Sequence, residues 1–284
     1  MRNLLRAPAC AVLAAAGLMA VHGSAPAGLA PAPKTNRKAE LKPDVAALVK
    51  QSTDVYKKMK SYRHTAKWTF SVKTPDGEAH EDVNFTLALE RPNRFVYKMD
   101  SQAKFFAPVA AYCDGTTFIN FKAKLAPIPT KQYIKVNAPA SYTGINIVDD
   151  VEFQPIATYI IALMLQGDAL ADKDIRLALE KASVKPSVTE NGKKWQVIEM
   201  PFGSEESPIT LYIGQDDHLI GKASQKGETK ITEVIDAIKI DKPIEPSTFQ
   251  YVLPADAKQV ERFSAPQRPT DARRLTNPSP IARR

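Results

Sequence analysis

The sequence predicts an α+β fold that is mainly antiparallel β, one strongly curved sheet of about eleven strands with helices on its concave side. Three observations predict it. Short segments of alternating apolar and polar residues come in two runs. Between them lies the chain's one long apolar helical stretch, Val151 to Leu179, VEFQPIATYIIALMLQGDALADKDIRLAL. Turn dipeptides such as Asp114-Gly115 and Asn191-Gly192 punctuate the alternating segments, as antiparallel hairpins require.

The chain opens on two arginines, an apolar run from Ala7 to Val21 and small residues around Ala25-Pro26-Ala27. This is the pattern of an export signal, assigned to residues 1–30. A spanning helix needs ~20 apolar residues, and this run is shorter and breaks at His22-Gly23. Cys10 precedes the apolar run instead of ending it, which argues against lipidation there. Without the leader only Cys113 remains, so an exported chain has no internal disulfide and depends on burial for stability.

Formal charge is +8. Arg2 and Arg6 account for two of these charges and the tail from Ala265, five arginines against Asp271, for four. The folded part keeps two, with no basic stripe interleaved with aromatics, so nucleic acid is not an expected partner.

Residues 31–43 are expected to form a flexible leader, short of large apolar side chains. Val45, Leu48, Val49, Val55, Tyr56 and Met59 then recur at helical steps and predict an amphipathic helix. Trp68, Phe70 and Val72 alternate with polar residues, as do Val83, Phe85, Leu87 and Leu89, giving two half-buried strands with an expected Asp76-Gly77 turn between them. Phe95, Tyr97 and Met99 form a third. Pro108 to Cys113, Thr116 to Phe121 and Gln132 to Val136 complete the first run in meander order.

Ala138 to Val148 is expected as a short element carrying Ala140, Tyr142 and Ile145. After Pro155 the stretch with Tyr159, Ile160, Leu163 and Met164 is apolar nearly all round, which implies burial on every side. A further helix is expected to be capped by Asp172 or Asp174. In the second run, Asn191-Gly192 should place Trp195 opposite Val188 and Val197 opposite Pro186; strands around Ile209–Ile213, Leu219–Ile220 and Thr229–Ile240 follow. The folded domain is bounded at residues 44–264. Residues 265–284, proline- and arginine-rich, read as a disordered basic tail, a candidate for peripheral contact with an anionic membrane.

Catalytic signals are missing. No H-E-x-x-H, G-x-S-x-G, phosphate loop or C-x-x-C occurs, so the reading is non-catalytic, with no metal and no cofactor. His64 shares the apolar face with Trp68 and Phe70, whereas His80 belongs to the opposite face. Asp216, Asp217 and His218 are explained by a turn, and Asp149, Asp150 and Glu152 by helix capping, without calcium. Cys113 reads as a buried, inert thiol. What remains is an excess of apolar side chains on one face of the sheet: Trp68, Phe70, Phe85, Leu87, Phe95, Tyr97, Met99 and Trp195, facing helix residues Tyr159, Ile160, Leu163 and Met164. A packed core and a ligand cavity both fit this pattern.

Lys60-Ser61-Tyr62-Arg63, the ERPNRF turn (Glu90 to Phe95), YCDGTTF (Tyr112 to Phe118), KQYIKVNAP (Lys131 to Pro139) and FQYVLPADAKQV (Phe249 to Val260) occur in one order. In this the chain resembles predicted periplasmic proteins of the LolA/LolB-like lipoprotein-carrier superfamily, from about Leu41 to Phe263. The resemblance implies an unclosed β-barrel of about eleven strands with lid helices over an apolar cavity for acyl chains. It implies a monomeric, periplasmic or secreted bacterial protein whose partner is a lipid or an acylated protein. The alternative is an envelope protein-interaction or stress-sensing module with a packed core and no ligand.

Overall fold

The computed structural model describes residues 40–74, 77–100, 108–124, 130–141, 155–202, 204–227 and 229–263. Helix α1 (Pro43–Lys58) leads into β1 (Ser61–Thr74), β2 (Gly77–Glu90), β3 (Arg94–Asp100), β4 (Val109–Asp114), β5 (Thr117–Lys124) and β6 (Thr130–Asn137). Helices α2 (Ile156–Gln166) and α3 (Lys173–Glu180) follow, and then β7 (Ser183–Glu190), β8 (Lys193–Phe202), β9 (Ser204–Gly214), β10 (Ile220–Gln225), β11 (Thr229–Ile240), a 3₁₀ turn (Pro246–Phe249) and β12 (Lys258–Gln259). The export leader, the Tyr142–Val148 portion of the short element, the acidic step at Asp149–Glu152 and the basic tail lie outside the described residues. Among the described residues no helix is long and apolar enough to cross a membrane.

The strands form one sheet in the order β12-β6-β5-β4-β3-β2-β1-β11-β10-β9-β8-β7. Its end strands are not neighbours, so the sheet is unclosed. Among the described residues six strands precede α2 and six follow α3, against the expected six and five. The twelfth is a two-residue strand pairing parallel with β6 through Lys258↔Gln132 and Gln259↔Tyr133, too short for alternation to reveal. The fold class is therefore the expected one, a mainly antiparallel, unclosed sheet with helices.

Two turns show how local chemistry sets the ladder. Asn191 and Gly192 both have positive φ, 53° and 77°, which is the type I′ geometry that Asn-Gly favours, and Val188 pairs with Trp195 as expected. Val197, however, pairs with Lys185 instead of Pro186, because the register shifts between Lys185 and Val188. Pro186 has no N–H to give the ladder, and a bulge accommodates it. The Asp76-Gly77 turn is only partly within view: Pro75 and Asp76 lie outside the described residues, and Gly77 already belongs to β2.

By compactness the chain divides into two units interleaved in sequence, residues 1–58, 70–79 and 159–234, and residues 59–69, 80–158 and 235–284. In the first, α1 buries Val45, Leu48, Val49, Ser52 and Tyr56, a three- and four-residue stripe, and the Tyr56 hydroxyl accepts a hydrogen bond from the Ile220 backbone N–H at 3.0 Å. The cross-strand pairs Ile198↔Leu211 and Met200↔Ile209 put four buried side chains on one side of β8–β9. The end of α2 is closed by Gly167 at φ 90°, with its N–H bonded to the Met164 carbonyl, the left-handed cap glycine favours. Asp172 caps α3 as expected: one carboxylate oxygen accepts from the N–H groups of Asp174 and Ile175, and the other accepts from the Tyr159 hydroxyl at 2.8 Å.

In the second unit, β4 is buried from Val109 to Cys113 without alternation, which means that both its faces are covered. One face carries the rows Phe85↔Met99↔Val109, Leu87↔Tyr97↔Ala111 and Leu89↔Phe95↔Cys113. The opposite face carries Ala88, Val96, Ala110, Tyr112 and Phe121, and Phe249 packs on it with Tyr251, Leu253 and Ala257 at the rim. The segment from Phe249 to Ala257 is thus a cover. Tyr251 stacks on Tyr112 at 4.7 Å between ring centroids, and Lys131 ties to Asp256 at 2.9 Å.

Candidate functional site

The site residues expected from the sequence fall in different places. In the second unit β1 to β3 bring Trp68, Phe85, Leu87, Phe95, Tyr97 and Met99 to one face, none more than 4% exposed. Period two does this: each strand sends alternate side chains to that face, and the β2–β3 register aligns them in rows. The Trp68 and Phe85 rings meet edge to face at 6.2 Å, and Phe85 and Tyr97 lie 6.1 Å apart, tilted. In the first unit Tyr159, Ile160, Leu163 and Met164 are buried along α2, whose side chains are buried from Ala157 to Leu165, as an all-round apolar helix must be. Phe70 is only half-buried, on the stretch of β1 approaching the exposed start of β2.

Trp195 belongs to the first unit, on β8. It pairs with Gly214, and Val197 with Tyr212, whereas Ile198 pairs with Leu211. Alternation therefore puts the indole on the side opposite Ile198 and Met200. There it lies over Gly221, where an added Cβ would come within 2.3 Å of the ring, and under the Lys193 ammonium at 4.4 Å. Glycine is needed at 221 for this approach.

Sequence reasoning placed His64 on the apolar face but missed what it does there. Its Nδ1 is 2.9 Å from the Tyr62 hydroxyl and its Nε2 3.1 Å from the Thr158 hydroxyl, and all three residues are fully buried. Burial pushes the imidazole down to about 3, so the ring is neutral. Its two nitrogens are neutral hydrogen-bonding groups, one donor and one acceptor. Thr158 could not be paired with His64 from sequence, because the two are 94 positions apart.

Cys113 is a buried free thiol, raised by burial above its ordinary range, the condition of an unreactive cysteine. Asp217 serves its turn, accepting from the Leu219 N–H at 3.1 Å and pairing with Lys193 at 2.8 Å. Among the described residues no group of three or more His, Cys, Asp or Glu gathers at metal distance. A pocket of about 280 Å³ opens beside Ile119, Lys135, Phe249 and Tyr251, and one of about 600 Å³ at the polar turns of Asn191–Lys194 and Gln215–Asp217. Neither is lined by the residues expected to hold a ligand.

Residues 46–262 match the family described as Predicted periplasmic protein (DUF2092), and the chain belongs to that family. The protein is periplasmic, in accord with the resemblance read from its motifs and with the export leader expected at residues 1–30. No curated protein matches the chain. Among solved structures it is similar to the lipoprotein LppX of Mycobacterium tuberculosis, 18% identical with a TM-score of 0.34 over 72% of this chain and 98% of that one. It is also similar to LprF of Mycobacterium bovis, at 12%, 0.38, 72% and 96%, and to a LolA superfamily protein of Nitrosomonas europaea, at 9%, 0.30, 73% and 97%.

Proposed function

We propose that this protein is a non-catalytic periplasmic carrier that takes the acyl chain of a lipid or lipoprotein against the apolar face of β1–β3. The observation that carries this reading is the continuous layer of Trp68, Phe85, Leu87, Phe95, Tyr97 and Met99, set in a chain that belongs to a periplasmic family. Burial of an acyl chain there is worth ~0.8 kcal/mol per CH₂. The face would separate to admit the chain, as lids do in other binding proteins.

A second reading, a protein-interaction module with a filled core, is favoured by the ring contacts of Trp68, Phe85 and Tyr97, which pack against one another on the face. Native mass spectrometry on protein purified from its own envelope fraction, followed by organic extraction, separates the two. The carrier reading expects a stoichiometric acyl lipid. A protein that is empty and fails to take up N-phenyl-1-naphthylamine or a fluorescent fatty acid is a filled module.

A further inference from the structure

The geometry points to a polar subsite in this apolar face, in which Tyr62, His64 and Thr158 receive the ester carbonyl of an acylated ligand. The inference rests on the carrier reading and names the chemistry of its ligand. On β1 the side chains of Tyr62, His64, Ala66 and Trp68 share one face and all are buried. A purely structural position there would favour a leucine or phenylalanine, because a buried polar group costs ~1–3 kcal/mol unless its hydrogen bonds are met. The chain instead places an imidazole there and satisfies it from both sides, at 2.9 Å by Tyr62 and 3.1 Å by Thr158. Trp68, four positions along the same strand, begins the apolar layer that would hold the hydrocarbon.

The chemistry of the three groups selects the ligand's polar end. All are neutral, since burial keeps the His64 ring unprotonated. A carboxylate or phosphate drawn into their company would lose its hydration without gaining a countercharge. An ester carbonyl is uncharged and accepts a hydrogen bond from a hydroxyl or an imidazole N–H, so it can take a donor of the Tyr62–His64–Thr158 chain without bringing a charge into the buried face. The ligand class is therefore an acyl ester, such as a glyceride or an ester-linked acyl lipid, in preference to a free fatty acid.

Three probes test this by displacement of N-phenyl-1-naphthylamine from the protein: 1-monolauroylglycerol, its ether analogue 1-dodecylglycerol, and dodecanoate. The ester should bind roughly five- to tenfold more tightly than the ether, the worth of one hydrogen bond, and more tightly than the ionised acid. Thr158→Val, which keeps the side chain's shape, and His64→Leu should remove the ester preference while leaving ether binding within about twofold, a change well under ~1 kcal/mol. Thermal melts establish that each variant is folded, and Thr158→Val alone suffices if His64→Leu is not. Equal binding of ester and ether by the unmodified protein, an undiminished preference in Thr158→Val, or dodecanoate binding as tightly as the ester each overturns the subsite and leaves the carrier reading standing. Failure of all three probes to displace the dye, or of the dye to bind, overturns the carrier reading and the subsite with it.

Discussion

The two faces of β2–β4 are both buried, yet they are built differently. The second face carries Ala88, Val96 and Ala110 beside the rings of Tyr112 and Phe121, and is covered by the 244–257 segment, which packs Phe249 and Tyr251 on it. That segment is anchored on both flanks, by the Ser61 hydroxyl bonded to the Lys242 carbonyl at 2.7 Å and by the β12–β6 pairing. The first face carries Phe85, Phe95, Tyr97 and Met99 in rows with Val109, Ala111 and Cys113, and includes the polar chain through His64 and Thr158. The difference teaches that burial alone does not identify a site. One covered face is closed by a segment fixed through backbone pairing, and the other includes a satisfied polar group that a core does not need.

The sharpest way to break this comparison is to hollow each face in turn. Phe249→Ala on the second face and Phe85→Ala on the first should each lose ~3–5 kcal/mol in urea unfolding. Dye uptake per folded molecule should change only for Phe85→Ala. If Phe249→Ala abolishes uptake and Phe85→Ala does not, the assignment of roles is reversed.

The polar chain gives the next largest effect, through pH. Because burial lowers the His64 ring from 6.5 to about 3, the unfolded chain binds a proton below about pH 6.5 that the folded one refuses. Stability is full above that pH and falls at up to ~1.4 kcal/mol per unit as the pH drops toward 3. Urea midpoints at pH 7, 6, 5 and 4 should show this slope, and His64→Leu should flatten it.

Smaller effects come from the elements outside both faces. Asp172→Ala removes the α3 cap and should cost ~1 kcal/mol, read as a lower melting temperature with the dye uptake of the parent. Asp114 is the smallest. Burial pushes its carboxyl up, but hydrogen bonds from the Thr117 and Thr116 N–H groups and the Thr116 hydroxyl outweigh it and hold the group below its ordinary range. Its stabilisation is present above the unfolded carboxylate range and is lost as pH falls through the folded one. Asp114→Asn should accordingly lower the midpoint at pH 7 and make no difference at the acid limit.

Much of this architecture was legible in the residues. Alternation in Phe85–Leu89 and Phe95–Met99, the Asn191-Gly192 turn and the Asp172 cap are set by interactions within a few positions, where side-chain period and turn chemistry act directly. The same rules could not show that the Trp195 indole lies over Gly221, because the two positions belong to different strands and meet only through the sheet. Nor could they show that Pro186 sits in a bulge, or that Phe249 and Tyr251 cover a sheet more than a hundred residues earlier in the chain.

By itself the sequence determined the class of fold, the order of its strands along the chain and the apolar character of the face, since each follows from local periodicity and composition. Only the tertiary structure decided which strands are neighbours, and therefore which side chains meet. The closing of Thr158 on His64, across 94 positions, is the plainest case: a helix residue and a strand residue with no shared local signal become partners because the fold brings both out of water and leaves each the other's hydrogen bond to satisfy.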